Sequence, residues 1–426
     1  MTTRMPATLA RTHEESCELD EQDRGWGHLF CRLPGVAYHA GNSLGLQPVA
    51  TRAALVQELD DWAALGVEGH HEALHPWYPY HEELRGSASR LVGALPHEVV
   101  VMNSLTVNLN LLMLSFYRPT RQRCRILIED STFPSDSYAV RSQAALHGLD
   151  PDEAILRLTP RTGEDTLRTE DVVDVLSREG ESIALVMLGA VNYRTGELLD
   201  LPAITAAGHA AGAVVGWDLA HAAGNVPLSL HDWNVDFAVW CSYKYLNGGP
   251  GAIAGAFVHE RHVGRDDLPR LEGWWTTDPA TRFDMAPVAR PQRSADAWSM
   301  SNPPILATAP VRVSLEIFDS IGMATLRARS VRLTAYLESL LDDVMVDRPL
   351  RVLTPRDPAA RGAQLSLWTE RGDAAELSRR LRAEHSVIVD ARGSHILRLA
   401  PVPLYATYED CWRAASALAD LVEVTS

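Results

Sequence analysis

Asp218 and Lys244 are the side chains whose types and placement could carry chemistry. Val214-Val215-Gly216-Trp217 is an apolar run that ends on Asp218, and residues 235–240 form a second run that leads into Ser242-Tyr243-Lys244. An acid closes one expected strand and a lysine closes the next. In an open α/β sheet, ligands sit outside the carboxyl ends of the strands, so both side chains point at one crevice. A lysine amine there can attack a carbonyl and form a Schiff base. An ionised acid beside it completes what pyridoxal phosphate (PLP) requires: lysine for the aldehyde carbon, carboxylate for the pyridinium nitrogen. Taken singly, an Asp after a strand is commonly a turn or cap, and a Lys there is commonly solvated. The neighbours give the pair its meaning. His221 lies three residues past the acid, and Asn247-Gly248-Gly249-Pro250-Gly251 follows the lysine, where glycine lets backbone approach a ligand closely.

This glycine run is not a dinucleotide loop. That fingerprint needs a strand, the glycines and then a helix, whereas residues 253–258 are another apolar, strand-like run. Other segments supply what a phosphate and an amino acid would need. Asn103-Ser104-Leu105-Thr106 stands between the apolar run VVVM and a helical pattern over 107–113. A Ser or Thr at a helix start serves as an N-cap, and the free N–H groups and positive dipole end can hold an anion. Phe133-Pro134-Ser135-Asp136 follows RILIED. It is good turn chemistry, and its aromatic can also stack on a pyridine ring while Asp136 bonds a ring substituent. Arg398 ends a strand-like run, and a guanidinium grips a carboxylate by two parallel hydrogen bonds that lysine cannot copy.

The elements that must position these residues follow from the chain's patterning. With 426 residues, 22% charged and 46% hydrophobic, the composition is that of a soluble globular protein with a large domain and a smaller one. The 39 Lys and Arg against 55 Asp and Glu give a net charge of −16, which argues against nucleic acid and anionic membrane as partners. No apolar run approaches membrane-spanning length, and MTTRMPATLART lacks the apolar core of a signal peptide. Cysteines 17, 31, 124, 241 and 411 are scattered, without metal-ligand or disulfide spacing, so reduced thiols, a cytoplasmic location and no metal are expected. From 99 to 258, strand-like runs alternate with helical patterns: VVVMNS, RILIED, SIALVMLGA, AVVGWDLA, VDFAVWCSY and IAGAFVHE. That alternation predicts an α/β domain with a mostly parallel sheet covered by helices. Arg52 to Leu65 reads as an amphipathic helix, and Ile305 to about Val346 as one long helical region. The remainder reads strand (RVLTP), strand (QLSLWTE), helix (AAELSRRLRAEH), strand (SVIVD, 386–390), strand (ILRLA), helix (TYEDCWRAASALADLVE): a compact α+β unit. The expected division is an N-terminal arm over 1–50, a PLP-binding domain over 51–305, and a small domain over 306–426.

The stretch DLAHAAGNVPLSLHDWNVDFAVWCSYKYLNGGPGAIAGAFVHERH closely resembles kynureninase, a PLP enzyme of the aspartate-aminotransferase fold, type I. The likeness extends to His39-Ala-Gly-Asn-Ser-Leu-Gly-Leu-Gln-Pro48, Phe133-Pro-Ser-Asp136, Gly273-Trp-Trp275, Ser301-Asn-Pro-Pro304 and Arg398-Leu-Ala-Pro-Val-Pro-Leu-Tyr405. It implies hydrolytic Cβ–Cγ cleavage of L-kynurenine, 3-hydroxy-L-kynurenine or both, giving an anthranilate and L-alanine. It also implies that the N-terminal arm packs with the small domain, and it assigns roles. Lys244 carries PLP and moves the Cα proton, Asp218 holds the ring nitrogen protonated, and Tyr243 both reaches the phosphate and acts as the acid that protonates the released carbon. Leu105 and Thr106 contact the phosphate; Phe133, Asp136 and His221 lie beside the ring. Trp274 and Asn302 come from the neighbouring subunit of a homodimer and complete the PLP phosphate site, which would account for an exposed Trp274-Trp275 pair. Arg398 binds the substrate carboxylate, with Ser43 also at the substrate. His70, in Gly66 to Trp77, resembles the histidine that animal-type members hold against the substrate ring, so with Asn302 it is expected near a ring hydroxyl. Tryptophan catabolism toward NAD biosynthesis and supply of a modified anthranilate would use the same groups. The rival readings are a class V aminotransferase, a cysteine desulfurase-like protein, and a non-catalytic scaffold on the same fold. A desulfurase needs a reactive Cys on a mobile loop, whereas Cys241 falls in an expected strand and Cys411 in an expected helix.

Overall fold

The computed structural model describes residues 9–346 and 348–423; residues 1–8 of the expected arm lie outside them. A short strand in the arm, β1 (Ala37–Tyr38), precedes the strands of the large sheet: β2 (Val99–Val101), β3 (Arg125–Glu129), β4 (Ile155–Leu158), β5 (Ile183–Gly189), β6 (Val214–Asp218), β7 (Phe237–Trp240) and β8 (Gly255–Val258). Their order is β2-β8-β7-β6-β5-β3-β4. Both faces are buried, which is why the strands read as unbroken apolar runs. Alternate residues go to opposite faces. Leu127, Val186, Leu188, Val215, Trp217 and Ala238 join one core cluster, while Ile126, Ile128, Leu185, Met187, Phe237 and Val239 join the other.

Pairing is parallel from β7 across to β4, but β8 runs antiparallel to both β7 and β2. The reason is the connection. A parallel return would need a crossover, usually a helix, whereas residues 241–254 between β7 and β8 hold only turns. β4 has no counterpart among the six runs read from the sequence; it is a short, half-exposed edge strand that includes Arg157.

The second sheet holds β9 (Leu350–Val352), β10 (Leu365–Thr369), β12 (Asp390–Arg392) and β13 (Ile396–Leu399) in the order β12-β13-β10-β9, all antiparallel. Between β10 and β12 lies β11 (Val387–Ile388), which pairs in parallel with β1 of the arm. The single strand expected over 386–390 is thus two, serving different partners. The long helical region expected from Ile305 is likewise two helices, Ile305–Ile321 and Met323–Met345, broken at Gly322 with φ +83°. The first packs Val311, Val313, Leu315 and Phe318 into a core cluster of the large unit; the second packs Leu333, Leu337, Leu340 and Leu341 under the small sheet. The arm helix His13–Gln22 opens on a capping box of Thr12 and Glu15. Its Asp20 accepts the Tyr408 and Glu409 N–H groups at 2.8 and 2.9 Å, which fastens it to the start of helix Tyr408–Leu421. No helix among the described residues is long and apolar enough to cross a membrane.

Candidate active site

The carboxyl ends of β6 and β7 open on one pocket, lined by Asp218, His221, Tyr243 and Lys244 together with Leu105, Thr106, Phe133, Ser135 and Asp136. The turn that carries the lysine is tied down locally. Gly248 N–H donates to Ser242 O at 2.8 Å, Asn247 N–H to Lys244 O at 3.0 Å, and Ser242 Oγ to Ile253 O at 2.6 Å. Asn247 and Gly249 take the left-handed backbone that this reversal needs, at φ +56° and +93°. The arm closes over it: Gly45 N–H donates to Tyr243 O at 2.8 Å, and a Cβ on Gly45 would lie 2.4 Å from Lys244 O. Lys244 Nζ stands 5.7 Å from the Phe133 ring centroid.

Asp218 is buried and accepts the Ala220 N–H at 2.7 Å. Beside it, burial pushes the Asp136 carboxyl well up, and the Asp218 charge and hydrogen bond push the same way against the pull of Lys244. The protonated form of Asp136 is thereby favoured, which eases the approach of two carboxyls. Burial, then the charges of Lys244, Arg398 and Arg392, holds the His221 imidazole well below its ordinary value, so it is neutral. Burial likewise keeps the half-buried Tyr243 phenol protonated.

The phosphate end differs from expectation in one respect. Helix Leu105–Phe116 begins after Ser104, yet no side chain caps it, so its first N–H groups stay open to an anion. Thr106 Oγ1 lies 2.7 Å from Ser135 Oγ, at the start of helix Pro134–Leu146. His221 Nδ1 and Asp136 Oδ1 are buried without a partner among the described residues. Open helix N–H groups, two hydroxyls, an aromatic wall, an amine and buried polar atoms that lack partners fit PLP.

Other expected residues lie elsewhere in the chain. His70 bonds Val67 O at 2.9 Å and packs edge-on against Trp77; Trp274 is 41% exposed and Asn302 is exposed. None of the three lines the pocket of its own chain. Trp275 departs from the expected exposed pair: it is buried beneath Arg282, whose guanidinium carbon stands 4.3 Å from the ring centroid. Arg398 is buried outside the pocket lining and donates to Tyr193 O at 2.7 Å, while Ser43 bonds Asp390. Sequence reasoning missed Ser135, Glu129, Asn192 and Tyr193, all of which line the pocket. Ser135 was inside a quoted motif; Glu129 ends a recognised strand and accepts from Asn192 Nδ2 at 2.6 Å. Away from the pocket, Glu98, His231 and His259 gather, with Glu98 already accepting from His231 and the Leu95 and Glu260 N–H groups.

Comparison with known proteins sharpens this picture. A model of the kynureninase C-terminal domain matches residues 326–418. Kynureninase of Salinispora tropica is 65% identical over 423 residues, covering 98% of this chain and 99% of that protein. Kynureninase of Myxococcus xanthus is 55% identical over 408 residues, covering 94% and 95%. Among solved structures, a cysteine desulfurase from Thermococcus onnurineus superposes with a TM-score of 0.76 at 18% identity, covering 91% of this chain and 94% of its own. An alanine–glyoxylate aminotransferase from Nostoc sp. gives 0.66 at 17% identity, covering 91% and 96%. At such identities these two speak for the fold, that of type I PLP enzymes.

Proposed function

The chain belongs to the kynureninase family, and from that premise we propose that it hydrolyses the Cβ–Cγ bond of L-kynurenine, 3-hydroxy-L-kynurenine or both to the anthranilate and L-alanine. The observation that carries this reading is the meeting of Lys244, Tyr243 and Asp218 in one pocket whose buried His221 Nδ1 and Asp136 Oδ1 have no protein partner.

PLP, when bound, supplies an electron sink for the substrate's Cα and Cβ. The chain supplies the rest. Lys244 would hold the aldehyde carbon and, once released from it, would move the proton at Cα. The Asp218 carboxylate would accept from the ring N–H, with Asp136 at its side. Phe133 would stack, and the open N-terminus of helix Leu105–Phe116, with Thr106 and Tyr243, would hold the phosphate. Tyr243, kept protonated by burial, can donate to the carbon left when the anthranilate departs. Arg398 binds the α-carboxylate through its fork of donors. The desulfurase alternative lacks its nucleophile at the pocket, because Cys241 is buried in apolar surroundings that push its thiol up.

Trp274, Asn302 and His70 are read as residues given to the partner's pocket in a homodimer; their absence from the pocket of their own chain supports this. The division into an arm over 1–50, a PLP-binding unit over 51–305 and a small unit over 306–426 is supported by the separate core under the small sheet, with helix Ile305–Ile321 as the connector. A cytoplasmic place in tryptophan catabolism is the matching physiological reading. The test is product analysis: kynurenine and 3-hydroxykynurenine should yield the matching anthranilate and alanine in equal amounts. Transamination products without anthranilate would contradict it.

A further inference from the structure

Arg398 does not stand alone. β12 and β13 are antiparallel with Asp390 directly opposite Arg398, and residues directly opposite share a face. Arg392, two residues after Asp390, is on that face too. Asp390 is 8% exposed and joins both arginines: Oδ2 accepts from Arg398 Nη2, and Oδ1 accepts from Arg392 Nη1. The arm adds Ser43, whose hydroxyl donates to Asp390 Oδ2 and accepts from Arg392 Nη2 at 3.1 Å and Arg398 Nη2 at 3.2 Å. A hydroxyl has one donor and two acceptor sites, so Ser43 is fully used inside this cluster. From the large unit, Tyr193 O takes Arg398 Nη1 at 2.7 Å. The Arg398 Nε–H is left buried without a partner among the described residues.

Two features follow. The guanidinium, 1% exposed, is fixed from the arm, the large unit and the small sheet at once, so little orientational freedom is left to be lost when a carboxylate arrives. Two guanidinium cations against one carboxylate also leave one positive charge uncompensated within the cluster. The fields of Arg392 and Arg398 reach the pocket, where both depress the His221 imidazole.

We propose that Asp390 is a positioning residue for substrate binding: it clamps Arg398 against Arg392 and Ser43, aims the fork at the substrate's α-carboxylate, and leaves the cluster one net positive charge to attract it. The proposal rests on Arg398 being that fork, and the experiment separates the two. Holoenzyme with Asp390→Asn, Arg398→Gln and both changes together is compared with the parent for kcat, for KM toward L-kynurenine, for the inhibition constant of L-alanine, and for melting temperature. Asp390→Asn keeps the shape of the side chain and removes its charge. KM and the alanine constant should rise about ten- to a hundredfold while kcat changes little, the mark of lost positioning and not of lost chemistry. In the Arg398→Gln background, Asp390→Asn should add nothing further, because it acts through Arg398. If Arg398→Gln raises KM but Asp390→Asn leaves it unchanged, the clamp is wrong and the fork stands. If the Asp390→Asn effect persists in full without Arg398, Asp390 acts by another route and the proposal fails. An unchanged KM in Arg398→Gln would remove the fork itself. Should Asp390→Asn not fold, Arg392→Gln serves, since that side chain is 38% exposed. KM should rise there as well, with Asp390 then neutralising Arg398 alone, and an unchanged KM would overturn the proposal.

Discussion

At the lysine end, His221 Nδ1 and Asp136 Oδ1 are buried without partners among the described residues and a helix starts uncapped; at the arginine end, Ser43, Asp390 and two arginines bond one another almost to saturation. An unpartnered buried polar atom costs free energy, so a ligand that bonds these atoms stabilises the lysine end. The arginine end is complete beforehand and offers a fixed fork with surplus charge. Joining the two is the loop that carries Asn192 and Tyr193. Asn192 Nδ2 donates to Glu129 Oε1 at the lysine side, and Tyr193 O accepts from Arg398. On the proposed reading, the lysine end is built for occupancy and the arginine end for orientation.

Breaking the lysine end should have the largest effect. Lys244→Ala should take turnover below detection while, with both proteins free of PLP, the melting temperature stays near that of the parent, because the half-buried amine has no hydrogen bond among the described residues to lose. Steady-state assay and calorimetry check both. Tyr243→Phe removes only a hydroxyl. It should lower kcat by about 10²–10⁴-fold, the usual worth of a positioned acid, with PLP absorbance retained. A parent rate in that variant would return Tyr243 to a packing role.

Changes at neither end should be smaller. If His70 selects the ring hydroxyl from across a dimer, His70→Trp should lower the ratio of kcat/KM for 3-hydroxykynurenine over kynurenine by up to about tenfold, the scale of one hydrogen bond. An unmoved ratio would discard His70 as selector. The smallest effect concerns the joining loop. Burial, opposed by the Leu167 N–H and helped by the Glu129 charge, raises the Glu197 carboxyl from 4.5 to about 8. The folded chain therefore holds a proton that the unfolded chain has released, and stability falls as pH rises from 4.5 toward 8. Glu197→Gln, which keeps an acceptor for Leu167 N–H, should flatten the melting temperature across that window. A profile as steep as the parent's would assign the pH dependence to another group.

Much of the lysine end was legible in the sequence because its residues stand at the ends of strong apolar runs and within short motifs: Asp218, His221, Tyr243, Lys244, and Phe133 to Asp136. The arginine end was legible only for Arg398 and, through the resemblance, Ser43. Asp390 and Arg392 matter through register, and a three-residue strand following a two-residue one gives no periodicity from which to read that register. β4 was hidden because a short edge strand with an arginine lacks the signature of a buried run. The direction of β8 was within reach, because the glycine run leads straight into the apolar run 253–258 with no helix to serve as a crossover. Trp275 was misread because its cover, Arg282, lies in a segment without regular apolar spacing.

The most direct test of the central claim, that Lys244 is the residue on which this pocket is organised, is borohydride reduction of the holoenzyme followed by peptide mapping. The account predicts a pyridoxyl group on Lys244 alone, in the peptide that contains Tyr243. A label on any other residue, or a protein that takes up no PLP absorbance when the cofactor is supplied, would contradict it.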